Sequence, residues 1–354
     1  MKSGIVGYGT YVPNGRISSE DIWNVWMFGL GPRVIKAARG LSERAVARWD
    51  EDPITMAGDA SKIALQSAGV AASQIEAMYF GSGTNPYVTR PSCSVVAEII
   101  GTGPEIFCAD CQFAGKSGTA AMQVCLGLAE AGLIRYGLAI GSDAFSRHVA
   151  PNDTLEYSAS YGAAALIIGR EGVIAEVEDT CSYTTHTPDL FRLDGDRYVK
   201  HSLNPDEEIA VGYRKHTVLA SQALLKKVGR KPEDYNYAIF SQPDGRGPVR
   251  IGKEIGFREE QIEPGLVSRD IGDCSSASPL ISLAAVLDQA KAGERIFLTS
   301  YGYGAGSDAF SIKTTNLIEK TKPTNSVKDQ IARKTYLNYS EYLKSERKIM
   351  MEYV

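Results

Sequence analysis

Two pairs of anchors recur along this chain at nearly one spacing. Gly69 closes a helical stretch eleven residues before Phe80, the last large apolar residue of a strand-like run, and Gly229 precedes Phe240 in the same way. The offset is 160 residues. Further along, AEAGLIRYGLAIG matches DQAKAGERIFLTSYG, with Gly132 against Gly293 at an offset of 161. Chance periodicity does not hold one register across two independent anchors, so the chain reads as a duplication. Its halves, residues 1–170 and 171–316, are expected to pack into one five-layered unit.

The local pattern agrees. GIVGYGTYV, AMYFGSG, YGLAIGSD and AAALIIG read as strands, and MAGDASKIALQSAG and GTAAMQVCLGLAEAG carry apolar residues three and four apart, as helices do. After Gly172 the alternation resumes, with GVIAEVED, YAIFSQ, RIFLTSYG and FSIKTT as strands and YRKHTVLASQALLKKVG and ASPLISLAAVLDQAKAG as helices. Such alternation predicts largely parallel sheets covered by helices. The segment between Glu20 and Asp52 interrupts the first half, and its Trp23, Val25 and Trp26 are expected to cover the core.

With 354 residues, 44% apolar, the chain can bury a large core. A net charge of −4 and a pI near 5.7 give no general attraction to nucleic acid or anionic lipid. The longest apolar runs are strand-length, far short of the ~20 residues of a membrane span. MKSGIVGYGTYVP reads as a first strand and not as a signal peptide, so a cytoplasmic location is expected. Six cysteines in a chain of this length do not form a disulfide framework. Cys108 and Cys111 have metal-like spacing, but a zinc site would need a second such pair, so no metal is expected.

DEDPITMAGDASKIAL, FAGKSGTAAMQ, SYTTHTPDLFR, VLDQAKAGERI and SYGYGAGSDAF resemble the archaeal and bacterial branch of the HMG-CoA synthase family, which is similar to ketoacyl synthase III and lies in the thiolase superfamily. The resemblance runs from about Gly4 to Thr315. It implies an α/β thiolase fold, with duplicated βαβαβαββ halves in a five-layered αβαβα sandwich, and condensation of acyl-CoA substrates through an acyl-cysteine. It also locates the machinery. The cysteine position falls on Gly115 in QFAGKSGTAA, the glutamate acid/base on Gly83 in GSGTNP, the histidine on Ser241 in SQPDG and the asparagine on Asp273 in IGDCSSASP.

Glycine cannot carry an acyl group, and a serine needs a neighbouring base. None of the four histidines falls in a motif of the family. His148 and His201 lie in polar stretches, His216 near a helix start and His186 in a surface connection. Asp273 could act as a base, and Cys111 and Ser117 are the fallback nucleophiles. A thiol on the strand–loop approach to the helix lacks the electrostatic assistance of its first turn. The loop from Gly302 to Phe310 is no dinucleotide site, because it joins two strands instead of opening a helix. Gly302, Gly304 and Gly306 instead shape a pocket where the resemblance allows acyl-CoA. No cofactor is expected beyond a coenzyme A thioester as substrate.

Beyond Thr315 the chain becomes rich in lysine and tyrosine, and residues 317–354 read as a surface helix or a partner-docking segment closed by Ile349–Met351. Chains of this branch with glycine at the cysteine position resemble the HMG-CoA-synthase-like subunit of the bacterial phloroglucinol C-acetyltransferase complex. The resemblance implies a non-catalytic subunit beside a thiolase-like catalytic chain and a small zinc-ribbon/OB-fold chain, around a homodimer paired through YGLAIGSD. Two readings compete with it. One is an autonomous condensing enzyme built on Cys111, Ser117, Ser241 and Asp273, and the other is an acyl-CoA-binding homodimer without other partners.

Overall fold

The computed structural model describes residues 2–26 and 40–349. The repeat has a backbone cause. Helix α1 (Pro53–Ala68) opens on Asp52, whose carboxylate accepts the N–H groups of Ile54 and Thr55 at 2.9 and 2.8 Å, and it ends at Gly69 with φ 63°. Helix α4 (Lys215–Val228) ends at Gly229, also at φ 63°. Gly132 and Gly293 are left-handed too, at 71° and 84°. All four anchor glycines therefore occupy a conformation that side chains resist.

The first half contributes β1 (Gly4–Tyr11), β4 (Ile75–Gly81), β5 (Phe107–Cys111), β6 (Tyr136–Ala144) and β7 (Tyr161–Gly169). The second contributes β8 (Ala175–Thr184), β9 (Tyr237–Phe240), β10 (Arg295–Thr299) and β11 (Gly306–Thr314). The strand order is β5-β4-β6-β7-β1-β8-β11-β10-β9. Read outward from the β1–β8 joint, the two halves run in the same order, which puts Phe80 on β4 and Phe240 on β9 at equivalent positions. The joint itself is only two residue pairs long. The second half lacks the fifth strand that the duplication predicts. At the place of β5 it has a helical turn, Ser268–Ile271, whose Arg269 carbonyl is taken by the N–H and hydroxyl of Ser42.

Five layers follow. Helices α1 and α2 (Ser92–Ile100) cover the outer face of the first half, and α4 and α5 (Gly247–Ile255) that of the second. Between the half-sheets lie α3 (Ser117–Glu130) and α6 (Ser278–Leu287), buried with residues of β1, β7, β8, β10 and β11. YGLAIGSD is β6, bonded on both sides to β4 and β7, so it cannot pair with a second copy. The free edge of this half is β5, where Phe107 is 53% exposed.

Residues 326–348 are packed into their own chain. Ser326 caps α7 (Val327–Ala332), and buried Gln330 bonds Val12 and Thr10 of the first strand region. Strand β12 (Thr335–Tyr336) lies parallel to β2 (Gly15–Ser18), which pairs with β3 (Glu43–Val46). Tyr342 of α8 (Tyr339–Ser345) is fully buried against Ile17, Ile22 and Val46, with the Arg44 guanidinium 4.6 Å over its ring. Trp23 is buried as expected, whereas Trp26 is 37% exposed and bonds Tyr339. Met350 and Met351 lie outside the described residues. Among the described residues no helix is long and apolar enough to cross a membrane.

Candidate functional site

The tips of β4, β6, β9 and β10 and the starts of α3 and α6 converge on one place, and most of the singled-out residues meet there. Gly115 precedes α3 with φ 91°. A Cβ built on it would lie 2.6 Å from the Tyr301 carbonyl oxygen and 3.2 Å from Gly302 Cα. No side chain fits at this backbone position without a shift of the facing loop. A Cβ on Gly83 would lie 2.5 Å from that of Ala114. Positions 83 and 115 are thus both closed by neighbours, as well as lacking functional groups.

The other members are held by internal bonds. Ser241 is buried and its hydroxyl accepts the Tyr301 N–H at 2.7 Å. Among the described residues no histidine or carboxylate bonds that hydroxyl, so nothing is placed to deprotonate it. The Ser117 hydroxyl donates to Ser276 Oγ at 2.7 Å, which also accepts the Gly115 N–H at 3.3 Å. Asp273 is buried and accepts from Ser275 N and Ser278 Oγ, both at 2.8 Å. Burial pushes its carboxyl up to about 6. Cys111, at the end of β5, has its thiol pushed up by burial, the reverse of nucleophile activation.

Several contributors carry no motif in the sequence. Asp143 is fully buried and gathers Ser82 Oγ, Gly83 N, Thr84 Oγ1 and Ser276 N at 2.6–2.9 Å, tying both halves together. Lys116 is held against Asp308 at 2.8 Å and over the Phe113 ring, so its ammonium is committed to structure. Two histidines, placed where the sequence reading put them, are held by internal bonds. His216 is fully buried, bonding Thr185 and the Gly212 carbonyl at 2.7 Å. His201 sits between Glu208 at 2.8 Å and Asp153 at 3.2 Å, and its bonds to these carboxylates push it up to about 9.

The glycine loop acts through its tyrosines. A Cβ on Gly302 or Gly306 would meet Phe113 at 2.8 Å, so those glycines let the loop close onto the start of α3. Tyr301 and Tyr303 line the space instead. Two cavities flank Tyr303 and Leu190. An outer one of about 290 Å³ is lined by Asp189, Asp206, Glu208 and Asp244, with Tyr213 and Tyr301. An inner one of about 330 Å³ lies over Gly83, Thr84 and Ala114. The alternation of tyrosine and glycine in YGYG, residues 301–304, was the available signal for this wall. Among the described residues no group of histidine, cysteine and carboxylate side chains could hold a metal.

No protein-family model matches the chain. It is 45% identical over 350 residues to the protein named hydroxymethylglutaryl-CoA synthase of Methanocaldococcus jannaschii, covering 99% of this chain and 100% of that one. The protein of the same name from Archaeoglobus fulgidus is 45% identical over 346 residues, covering 98% and 99%. Among solved structures, an HMG-CoA synthase complexed with CoA superposes with a TM-score of 0.88 at 19% identity, over 98% of this chain and 90% of the other. The 3-oxoacyl-[acyl-carrier-protein] synthase III of Aquifex aeolicus gives 0.80 at 21% identity, over 88% and 99%. The last two likenesses establish the α/β thiolase-like fold.

Proposed function

The chain belongs to the HMG-CoA synthase family, and from that premise we propose that it is a non-catalytic subunit of an acyl-CoA-dependent C-acyltransferase of the thiolase type. The observation that carries the reading is Gly115, left-handed at the position that the family resemblance gives to the acyl-bearing cysteine, with the Tyr301 carbonyl where a side chain would start. Catalytic groups that act as a unit lose nearly everything when the nucleophile goes. Here Gly83 and Ser241 have also lost the acid/base groups. The partners proposed are a thiolase-like chain that supplies the cysteine and a small zinc-ribbon/OB-fold chain, as in the phloroglucinol C-acetyltransferase that the sequence resembles. A second copy of this chain would pair through the open edge of β5.

A second reading has the comparisons in its favour. Full-length likeness to proteins named hydroxymethylglutaryl-CoA synthase supports an autonomous condensing enzyme with a rearranged centre around Cys111, Ser117, Ser241 and Asp273. Intact-mass spectrometry of the purified chain with acetyl-CoA and with acetoacetyl-CoA separates the two. The non-catalytic reading expects no adduct and no turnover until the partner chains are added. A stoichiometric, thiol-labile adduct on the chain alone overturns it and favours the second reading.

A further inference from the structure

The inner cavity differs in chemistry from the outer one, and the difference is in which side chains line it. The outer cavity has four carboxylates, whereas the inner one is lined by none. Its walls are aromatic, with Phe113, Phe145, Phe191 and Tyr303, and the Phe145 and Tyr303 rings already meet at 6.0 Å between centroids, tilted by 33°. Arg192 supplies a cation. Asp143 and Asp273, which hold the lining residues Gly83, Thr84 and Ser275, turn their oxygens to hydroxyl and N–H donors.

Ser275 is the second, independent observation. It lines this cavity, is 3% exposed and has φ 51°, a left-handed conformation costly for a residue with a side chain. Its N–H is held by Asp273 at 2.8 Å, which keeps the backbone in that conformation. Its hydroxyl makes no hydrogen bond among the described residues. A strained backbone thus presents an unused hydroxyl to an aromatic chamber with a cation beside it. His148 completes the polar side. Its Nδ1 meets the Arg197 carbonyl at 3.0 Å, which leaves Nε2 for another partner.

We propose that this cavity is a binding site for a small planar aromatic anion, an aryl carboxylate or a phenolate, stacked on the phenylalanines with its oxygen toward Ser275 and Arg192. The proposal names a ligand class for the site described above, so it rests on that site being free of a covalent acyl group. Four aromatic walls favour a flat ring over an aliphatic one. The arginine favours an anion here, whereas across Tyr303 four carboxylates outnumber the two cations, His201 and Arg250, and make the outer cavity the poorer place for one.

Calorimetric titration of the full chain with benzoate and with 4-nitrophenolate tests it. Benzyl alcohol serves as a planar neutral control and cyclohexanecarboxylate as a non-planar anion. At least one planar anion is expected to bind, and whichever binds identifies the carboxylate or phenolate arm. Both controls should bind at least about tenfold more weakly. Phe191 and Arg192 reach the surface, so Phe191→Ala and Arg192→Gln keep the fold and should each weaken binding about tenfold. Asp206→Asn in the outer cavity should leave it unchanged. The proposal falls if neither planar anion binds, if the controls bind equally well, or if Phe191→Ala and Arg192→Gln have no effect. An acyl adduct in the mass experiment would instead remove the premise and leave these affinities to be read separately.

Discussion

Ser117 Oγ and Ser276 Oγ lie 2.7 Å apart, and through them the start of α3 meets the turn that leads into α6, one from each half. Both residues are fully buried. Their bond marks the centre of the duplication and sits directly under Gly115, whose N–H also reaches Ser276. The place where a nucleophile would be activated is therefore closed by a structural bond between equivalent elements.

Restoring a side chain at position 115 is expected to destabilise the protein. Gly115→Ala forces a Cβ against the Tyr301 carbonyl at a positive φ, and the loss should be roughly 2 kcal/mol or more. Gly115→Cys should lose as much, and for the same reason should not self-acylate efficiently. Urea denaturation of both variants checks the first point, and intact mass after acetyl-CoA treatment checks the second.

Two titrations, one buried and one half-buried, make stability fall as pH rises, in different windows. Asp273 has an ordinary value of 3.8 and titrates near 6 in the fold, so the native state holds a proton that the unfolded chain has released. The resulting penalty is absent below 3.8 and complete above 6. Asp273→Asn should therefore stabilise the protein at neutral pH, by on the order of 2 kcal/mol, and gain nothing at the acid end. His201, raised from 6.5 to about 9, contributes stability that is full below 6.5 and lost by 9. His201→Gln should lower the melting temperature at acid and neutral pH and leave it unchanged above 9. Melting curves across pH for the three proteins test both signs.

The tail is a part of the fold. Tyr342→Ala should cost about 3–5 kcal/mol by opening a cavity beside Ile17 and Ile22 and uncovering Arg44. Removing residues 317–354 should yield insoluble or molten protein, because Ile318, Val327, Gln330 and Glu346 are also buried. A truncated chain with native near-ultraviolet circular dichroism would contradict this. Docking of another chain, if it uses the tail, uses its outer face around Tyr336 and Lys344.

If a second copy joins through β5, a charge at that edge should prevent it. Phe107→Glu places a carboxylate on a 53% exposed edge position and should shift the protein from dimer to monomer without loss of stability. Sedimentation equilibrium of both proteins decides it, and an unchanged dimer places the interface elsewhere.

The halves were legible because their anchors are left-handed helix ends, which only glycine fills cheaply, so Gly69 and Gly229 mark the duplication in the bare sequence. The emptied chemistry at positions 83, 115 and 241 was legible for a similar reason, since a missing side chain is visible without a structure. The absence of a strand matching β5 was not foreseeable, because the Arg269 carbonyl in its place is taken by Ser42, more than two hundred residues earlier. Residues 326–348 read as exposed from their charge, yet Glu346 is buried among Arg44, Ser146 and Lys348, partners that no local pattern announces. Tyr303 divides two cavities only together with Leu190, and that pairing exists in three dimensions alone.

The return of the last helix to the first strands has a consequence for biosynthesis. Arg44 and Ile17 emerge from the ribosome hundreds of residues before Tyr342 and Glu346, which cover them. The N-terminal half therefore cannot complete its packing, and keeps a buried-type arginine in water, until those residues have emerged. A nascent chain stalled before Tyr342 is the form on which a chaperone would act.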